Sequence, residues 1–402
     1  MESYRTPLSQ LSPLSRLGPF SKSRANGRNG PTGATDERYM TLALQLARRG
    51  LGWTSPNPTV GAVIVKDGRV IGRGYHRRVG LPHAEIEALR RAGPGARGST
   101  LYVTLEPCNH TGRTLPCCDA VLAAGVSRVV VAARDPNPVT DGRGIQRLRR
   151  AGVRVDVGVL AREAVRLNEP FWSAMRTGLP QVIAKVGQSL DGKIATASGE
   201  SRWITSPDAR RLAHAWRSRV DAVLVGVNTI LQDDPRLSVR GLRHRPDRPI
   251  KVVVDSRLRT PRQARCLSPK TAAPMVIATT VRSGQAAAAL RQRGVRVWTF
   301  PGKAGRVPLR RLCRELVRHG AHSVLIEGGA EVLASALAER LVNRVVFFVA
   351  PLLIGGRTAA GSVGGSGIRR LRQAIRLADV TYRRVGPDLC VEARVVYPKH
   401  QT

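Results

Sequence analysis

Short apolar runs alternate with amphipathic helical segments along nearly the whole of this 402-residue chain. Runs such as AVLVGVNTI (222–230) and SVLIEGG (323–329) have the Val and Ile content of buried strands. Helical segments such as GQAAAALRQRG (284–294) stand between them. Strands that alternate with helices of about ten to fifteen residues predict α/β sheets. The chain is too long for one ordinary core, so we expect two α/β domains.

The domain boundaries follow from where this pattern starts and where it is interrupted. It starts near Asp36 with a capped helix, and Asp67-Gly68 then joins two β-rich runs as a predicted hairpin. A single helical segment (161–178) leads to Pro180, after which a new alternation begins. We expect a disordered extension over residues 1–35, which contain a single acidic residue, a first domain over 36–180 and a second over 181–402.

The formal net charge of +38 is carried almost entirely by arginine, since only eight of the 66 basic residues are lysine. A charge of this sign is typical of nucleic-acid-binding proteins. Here, however, Arg is spread along the whole chain without a dense basic block, and aromatic residues make up only 4%. We therefore interpret the charge as a solvated surface that also attracts phosphorylated small substrates, and expect no nucleic-acid partner.

The expected location of the protein is based on its apolar runs and on the composition of residues 1–35. No run approaches the roughly 18 consecutive apolar residues of a membrane span, so we expect no membrane partner and a cytoplasmic protein. Residues 1–35 are rich in Arg and Ser and poor in acids, which leaves an organelle transit segment as the alternative.

Three of the six cysteines cluster in LEPCNHTGRTLPCCDA (105–120), which follows PHAEIEALRRAG (82–93). His83 and Cys117 would each open a helix and Cys108 would follow a strand, so helix dipoles would stabilise a thiolate there. Catalytic zinc takes three ligands of these types and leaves the fourth position to water. Glu85, two residues after His83, is placed to reach that water without being a ligand, as in zinc deaminases.

Other interpretations of these residues stay open. The spacing of Cys108 and Cys117 permits a disulfide, although a reducing compartment disfavours one. A structural zinc would need His110 as a fourth ligand, and the chain would then be a zinc-organised binding module. The charge also favours a zinc deaminase that acts on a base of a nucleic acid such as tRNA. Cys118 lies about 100° round the helix from Cys117, so we assign Cys118 to the core.

The segments SPNPTVGAVIV, HAE, VTLEPCNHTGRTLPCCDA, DPNP and GRGI resemble the deaminase domain of the bifunctional riboflavin-biosynthesis deaminase/reductase family. The eight residues between Cys108 and Cys117 separate this group from cytidine and transfer-RNA deaminases, which have C-x-x-C. Leu115 departs from the family, which usually has Pro there. The resemblance implies zinc on His83, Cys108 and Cys117, with Glu85 as proton donor and acceptor. It also implies deaminase substrate contacts from Asn57, His76, His110 and Arg113.

The segments KVGQSLDGKIATASGESRWITS, VGVNTILQDDPRLSVR, VVVDS and LIEGGA resemble, in the same order, the reductase domain of that family. The glycine pair before a predicted helix indicates either a phosphate site, because free helix N–H groups bind phosphate, or only a tight turn. The resemblance implies NADPH binding by Gly187, Trp203, Thr229, Asp233, Ser256, Gly329, Ala330, Glu331, Val332, Leu333, Ala334 and Ser335. It implies substrate contacts from Ser201, Arg217, Leu237, Arg240 and Glu327.

Within that substrate set, Arg217 and Arg240 are suited to a phosphate. Glu327 is the candidate proton donor for the reduction.

The resemblance covers residues 36–395 and predicts a bifunctional enzyme with Zn²⁺ and NADPH as cofactors. A cytidine-deaminase-like three-layer α/β domain would convert 2,5-diamino-6-(5-phosphoribosylamino)pyrimidin-4(3H)-one to 5-amino-6-(5-phosphoribosylamino)uracil. A dihydrofolate-reductase-like α/β domain would then reduce the ribosyl side chain to ribityl. The expected partner is therefore a phosphorylated pyrimidine, and we expect a homo-oligomer.

Overall fold

The computed structural model describes residues 31–109, 116–245, 247–268, 272–302 and 305–398. These residues divide into two compact units, one that ends at Gly178 and one that begins at Leu179. Each unit is built around one sheet, of five strands in the first and nine in the second. Within the described ranges, no helix combines the length and the apolar character that a membrane span needs.

The first unit alternates strands and helices. Its strands are β1 (Gly61–Lys66), β2 (Arg69–Tyr75), β3 (Thr100–Val103), β4 (Arg128–Val131) and β5 (Arg154–Val157). Its helices are α1 (Pro31–Ala47), α2 (Ala84–Ala92), α3 (Cys117–Ala123), α4 (Arg143–Arg150), α5 (Ala161–Leu167) and α6 (Glu169–Thr177). The strand order is β2-β1-β3-β4-β5. β1 is antiparallel to β2 and β3, whereas β3, β4 and β5 are parallel.

The predicted hairpin is confirmed, since Asp67 and Gly68 join β1 to β2 with φ values of 50° and 72°. Both values are positive, as the tightest hairpin turns require. Helix α1 begins at Pro31, before the expected start at Asp36, and residues 1–30 lie outside the described part of the chain.

The helical stretch expected over 161–178 is confirmed, but it is divided into two helices, α5 and α6. The physical reason is Pro170 in the first turn of α6, which has no N–H to continue the hydrogen bonds of the preceding helix. The junction residue, Asn168, accepts a hydrogen bond from the Thr59 N–H at 2.7 Å and donates one to the Thr59 carbonyl at 2.9 Å. The break between the helices therefore fastens the segment that follows Asn57.

The second unit is a larger α/β sheet. Its strands are β6 (Gln181–Ser189), β7 (Ala222–Gly226), β8 (Ile250–Val254), β9 (Met275–Thr279), β10 (Arg296–Thr299), β11 (Ser323–Gly328), β12 (Val342–Ala350), β13 (Arg376–Val385) and β14 (Asp388–Val396). Its helices are α7 (Pro207–Arg217), α8 (Val227–Asp233), α9 (Gln285–Gln292), α10 (Leu309–Arg318) and α11 (Ala330–Ala338). The order is β10-β9-β8-β7-β11-β6-β12-β14-β13, parallel from β10 to β12 and antiparallel from there to β13.

The parallel strands are buried on both faces. Along β7, Ala222 and Leu224 belong to one buried cluster while Val223 and Val225 belong to another. This burial explains the continuous apolar runs of the sequence and confirms the predicted α/β class. The run AVLVGVNTI was expected as one strand, but it divides at Gly226 into β7 and α8, because a short apolar run does not distinguish strand from helix. The antiparallel pair β13–β14 was not predicted.

Candidate active sites

The three predicted metal ligands lie on separate elements of the first unit. His83 is the N-cap residue of α2, Cys117 is the first residue of α3, and Cys108 lies in the loop that follows β3. Their ligand atoms all lie within 4.8 Å of one another. The Nδ1 atom of His83 is 3.2 Å from the Cys117 sulfur and 3.7 Å from the Cys108 sulfur. One imidazole nitrogen and two sulfurs at this spacing fit a three-ligand zinc site.

Both cysteines of this cluster are free thiols, so the disulfide alternative is wrong. The backbone N–H of Cys117 donates to the Cys108 sulfur at 3.3 Å. A hydrogen bond from the Cys117 side chain, together with the approach of His83, lowers the pKa of Cys108 to about 4. The same hydrogen bond raises the pKa of Cys117 well above its ordinary value. Only thiolate binds a metal, and Cys108 is already favoured in that form.

Glu85 lies in the first turn of α2 and is 4% exposed. Burial is the largest cause that raises the pKa of Glu85 to about 7, and the negative charge of Cys108 adds to it. The Glu85 carboxylate also shares a hydrogen bond with the Cys117 side chain. A carboxyl group with a pKa near neutrality, buried beside a candidate metal site, can both take up and release a proton.

Asn57 and His76 form a polar wall beside this cluster. The Nδ1–H of His76 donates to the Pro82 carbonyl at 3.2 Å, so its Nε2 is left to accept from the Asn57 amide, also at 3.2 Å. Burial lowers the pKa of His76, which favours this neutral form. The rings of His76 and His83 meet edge to face with centroids 5.3 Å apart. Two of the four residues expected to contact the deaminase substrate therefore adjoin the candidate ligands.

The other two, His110 and Arg113, lie outside the described residues, as does Leu115. Whether His110 supplies a fourth ligand therefore stays open. Cys118 is completely buried, and its sulfur contacts the Pro107 and Gly144 carbonyls at 3.5 Å and 3.7 Å. It is a core residue, as expected.

The second unit contains a cleft of about 1490 Å³. All five expected substrate residues line it, namely Ser201, Arg217, Leu237, Arg240 and Glu327. Of the expected NADPH residues, Gly187, Trp203, Thr229, Asp233, Ser256, Gly329, Ala330, Glu331, Val332, Leu333 and Ser335 also line it. Ala334 is not among the lining residues, and its methyl group lies against Gly365. The two sets of residues, far apart in sequence, thus meet in one cavity.

The glycine pair forms the turn between β11 and α11. Gly329 has φ 89°, a value that side chains strongly disfavour. At Gly328, an added Cβ would lie 2.7 Å from the Thr229 hydroxyl oxygen. Neither position tolerates a side chain, so only backbone lines the cleft at this turn, directly before α11. This is the kind of site in which a helix N-terminus holds a phosphate.

A buried ion cluster lies in the same cleft. The Glu327 side chain is 3% exposed and forms a two-point ion pair with Arg217, with the Arg217 Nε at 2.7 Å from Oε1. The Nζ of Lys185 is 3.8 Å from Oε2 of Glu327. Burial would raise the pKa of Glu327, but Arg217 and Lys185 lower it below its ordinary value. Glu327 is therefore held as a carboxylate, which argues against it as the proton donor.

Arg217 was expected to bind a phosphate, but the structure engages its guanidinium with Glu327 and with the Ser238 carbonyl at 3.1 Å. Arg240 lies in a different environment. Burial and the guanidinium groups of Arg217, Arg236 and Arg265 lower its pKa. These four arginines all line the cleft. Their mutual repulsion makes this end of the cleft attractive to an anion.

Sequence analysis missed Lys185. It lies in β6, within the apolar run PQVIAKV (180–186), and its side chain is 16% exposed and lines the cleft. Burial lowers the pKa of Lys185. A lysine in an otherwise apolar strand was the signal that could have found it, because lysine is rarely buried without a partner.

Two family models match the chain. The model described as the RibD C-terminal domain matches residues 180–391, and that of the cytidine and deoxycytidylate deaminase zinc-binding region matches residues 34–133. The riboflavin biosynthesis protein RibD of Aquifex aeolicus is 43% identical over 356 residues, which cover 89% of this chain and 97% of the relative.

Two solved structures of similar proteins match nearly the whole chain. RibD of Acinetobacter baumannii is 38% identical with a TM-score of 0.82 and covers 91% of this chain and 100% of its own. A Thermotoga maritima protein is 33% identical with a TM-score of 0.79 over the same shares. It is described as a diaminohydroxyphosphoribosylaminopyrimidine deaminase and 5-amino-6-(5-phosphoribosylamino)uracil reductase.

Proposed function

The chain belongs to the RibD family of riboflavin-biosynthesis proteins, and from that premise we propose how its residues divide the work of a bifunctional enzyme. The first unit is a zinc-dependent deaminase and the second an NADPH-dependent reductase. We assign residues 36–180 and 181–402 to these domains, which the matched ranges 34–133 and 180–391 support. The observation that carries the proposal is the convergence of His83, Cys108 and Cys117 within 4.8 Å beside buried Glu85.

Deamination replaces the 2-amino group of the diaminopyrimidine ribotide with oxygen, consuming water and releasing ammonia. His83, Cys108 and Cys117 would hold a zinc ion, which when bound would lower the pKa of a water molecule to about 7. Glu85 takes up the proton that the water loses and passes it to the ring nitrogen. It then takes the remaining proton of the newly added hydroxyl group and delivers it to the amino group, which leaves as ammonia while the carbonyl forms. Its burial beside the ligands supports this role.

Asn57 and His76 would orient the pyrimidine. His76 holds the Asn57 amide from the interior, which leaves the rest of that amide free to recognise polar groups on the ring. His110 and Arg113 remain candidates for the same substrate. A zinc ion held by His83, Cys108 and Cys117 alone would have three protein ligands, which is the pattern of catalytic rather than structural sites.

In the reductase, NADPH supplies the hydride that reduces the ribosyl carbon. The turn at Gly329 and the start of α11 would bind the cofactor pyrophosphate. Arg240, together with Arg236 and Arg265, would bind the substrate phosphate, because among the described residues no carboxylate forms an ion pair with Arg240 as Glu327 does with Arg217. The guanidinium groups also reinforce one another's attraction for a doubly charged anion.

Opening of the sugar ring also needs a proton on the ring oxygen, which becomes a hydroxyl group of the ribityl chain. Lys185 is the donor that the geometry supports, since it lines the cleft and its Nζ lies 3.8 Å from Glu327. Burial lowers its pKa, and the positive charge of Arg217 adds to this effect. A lowered pKa makes an ammonium group a better acid at neutral pH. Glu327 would keep Lys185 in place rather than give up a proton itself.

The two rival functions are not favoured. A deaminase of nucleic-acid bases does not account for the reductase match over residues 180–391. A zinc-organised binding module does not explain why Glu85 is buried beside the candidate ligands. A homo-oligomer in the cytoplasm fits this function. Leu371, which precedes the edge strand β13 in the chain, is 89% exposed, and Tyr382 on β13 is 68% exposed. Both offer apolar surface for such an interface.

The experiment that tests the proposal incubates the protein with the diaminopyrimidine ribotide, with and without NADPH, and follows the products by mass spectrometry. Without NADPH we expect the deaminated uracil product, one mass unit heavier. With NADPH we expect that product to gain two hydrogens. Reduction without deamination, or an unchanged substrate in both reactions, would contradict the assignment of the two units.

A further inference from the structure

Two motifs of the deaminase unit, DPNP (135–138) and GRGI (142–145), take no part in the chemistry proposed above. In the structure both converge on the carboxylate of Glu106. Glu106 lies between β3 and the ligand Cys108, and it is only 3% exposed. It therefore joins a metal-ligand segment to a segment about thirty residues further along the chain.

The Glu106 carboxylate accepts four backbone hydrogen bonds. Its Oε2 accepts the N–H groups of Asp135 at 3.1 Å and Gly142 at 2.9 Å. Its Oε1 accepts those of Gly144 at 3.0 Å and Ile145 at 3.2 Å. Four bonds use every lone-pair site of a carboxylate. The N-cap residue of α4 is a glycine, which has no side chain to cap the helix, so Glu106 supplies that cap from another part of the chain.

One rigid residue separates this anchor from the ligand. Pro107 has a fixed φ, which limits how far Cys108 can move relative to Glu106. The Pro107 carbonyl also lies directly on the first turn of α4, where a Cβ added to Gly144 would be only 2.1 Å from it. On the other side, the Cys118 N–H donates to the Cys108 carbonyl at 3.2 Å. The ligand segment is thus confined between the starts of α3 and α4.

A second tie holds the far side of the same segment. Asn109, the residue after Cys108, accepts a hydrogen bond from the Arg147 Nη1 at 2.7 Å. Arg147 lies one turn into α4 and also forms an ion pair with Asp119 of α3. The residues on both sides of the ligand are therefore fastened to α4.

We propose that Glu106 is a positioning residue that sets the zinc affinity of this protein by holding Cys108 at ligand distance through the N-terminus of α4. The inference rests on the proposed function only in taking His83, Cys108 and Cys117 as the ligands. Glu106 is not one of the proposed ligands, and its carboxylate is engaged by four backbone N–H groups. Its contribution is to make the position of the Cys108 sulfur independent of the metal, so that little ordering remains to be done when the ion binds.

The test is Glu106→Gln, which keeps the shape but leaves one acceptor oxygen and turns an N–H group toward two backbone N–H groups. We expect zinc affinity, measured by competition with a chromophoric chelator, to fall 10- to 100-fold, as is common when the partner of a metal ligand is removed. Reductase activity should stay unchanged, because Glu106 belongs to the other unit.

Glu339→Gln is the matched control. Glu339 caps α10 in the reductase unit by accepting the N–H groups of Leu309 at 3.1 Å and Arg310 at 2.8 Å. It lies far along the chain from any proposed ligand. This variant should lower the thermal midpoint without altering zinc affinity. If Glu106→Gln behaves in the same way, and binds zinc within twofold of the wild type, Glu106 is only a helix cap and the proposal is overturned.

Arg147→Ala covers the case in which Glu106→Gln does not fold. The Arg147 side chain is 41% exposed, and its removal breaks only the second tie. We expect weaker zinc binding in that variant as well, and unchanged affinity overturns the proposal. A wild-type protein that binds no zinc at all would instead contradict the proposed deaminase function.

Discussion

Arg217 and Glu327, 110 residues apart in the chain, form a two-point ion pair on the wall of the reductase cleft. The pair changes the role of both residues. The guanidinium expected to bind substrate phosphate is engaged by protein, and the carboxyl expected to donate a proton is held ionised. We therefore propose Lys185 as the proton donor and Arg240 as the phosphate-binding residue.

Glu327→Gln should destabilise the protein because it leaves Arg217 and Lys185 buried without a negative partner. Breaking a buried pair costs about 3 kcal/mol or more, so we expect a loss of that order in the free energy of unfolding from chemical denaturation. Glu315→Gln is the control, since its partner Arg318 is exposed and the change should be below about 1 kcal/mol. Equal effects of the two variants would show that the Glu327 pair is not buried in solution.

Lys185→Met should abolish reduction while leaving deamination intact. Methionine matches the length and apolar stem of the lysine but has no proton to donate, so kcat for NADPH oxidation should fall at least 100-fold, as is common when a general acid is removed. NADPH affinity, measured by fluorescence, should change little. A variant that keeps most of its kcat would exclude Lys185 as the donor.

Arg257 and Arg306 should bind the 2′-phosphate of NADPH, the group that NADH lacks, and so select NADPH over NADH. Both line the cleft. The chain segments that carry them are joined by a hydrogen bond from the Val307 N–H to the Ser256 hydroxyl at 3.3 Å. The double variant Arg257→Ala/Arg306→Ala should raise KM for NADPH about tenfold, or ~1.4 kcal/mol, and leave KM for NADH unchanged. Arg262→Ala, an exposed arginine of the same loop outside the cleft, is the control for charge. A parallel loss for both cofactors would place the 2′-phosphate elsewhere.

Asp36 should make the first unit sensitive to acid. Arg128 donates to both of its oxygens, at 2.9 Å and 2.7 Å, and Tyr102 donates at 2.7 Å. Burial opposes these hydrogen bonds, but they prevail and lower the pKa of Asp36 below 3.8. The stabilisation is therefore present above the unfolded pKa and is lost as pH falls through the lower folded value.

Asp36→Asn should accordingly cost about 1–2 kcal/mol of unfolding free energy at pH 7. The difference from the wild type should shrink below about pH 4. A difference that stays constant from pH 7 to pH 3 would show that the charge of Asp36 does not contribute.

The metal cluster was easier to predict from the sequence than the contacts in the reductase cleft, because the ligands are positioned by local secondary structure. His83, Cys108 and Cys117 each stand at the start of a helix or after a strand, so secondary structure alone brings them to one edge of the sheet. The contacts of Arg217, Glu327 and Lys185 depend on how three distant elements pack. No spacing in the chain encodes these contacts, so the pairing of Arg217 with Glu327 was not predicted and Lys185 was missed.

The same distinction applies to the fold. The parallel strands were identified from continuous apolar runs, because both of their faces are buried. Strand β13 lies at the sheet edge with much of its surface exposed, and it carries Arg376, Arg383 and Arg384 among its apolar residues. It lacks the apolar run by which the other strands were recognised, and the hairpin with β14 was therefore not predicted.

Glu85→Gln separates the two activities. The amide cannot carry a proton between water, ring nitrogen and leaving amine, so deamination should fall by at least 100-fold while zinc content and NADPH oxidation stay at wild-type levels. Product formation from the diaminopyrimidine and from the uracil ribotide should be assayed separately. Loss of both activities in a folded variant would contradict the division into two independent sites.

The most direct test of the account is X-ray absorption spectroscopy at the zinc edge of the purified protein. We expect two sulfur ligands at about 2.3 Å, one imidazole nitrogen at about 2.0 Å and one further oxygen from solvent. In Cys108→Ser one of the two sulfur ligands should disappear. Two imidazoles with two sulfurs and no solvent oxygen would identify a closed structural site, and the deaminase assigned to this unit would then be wrong.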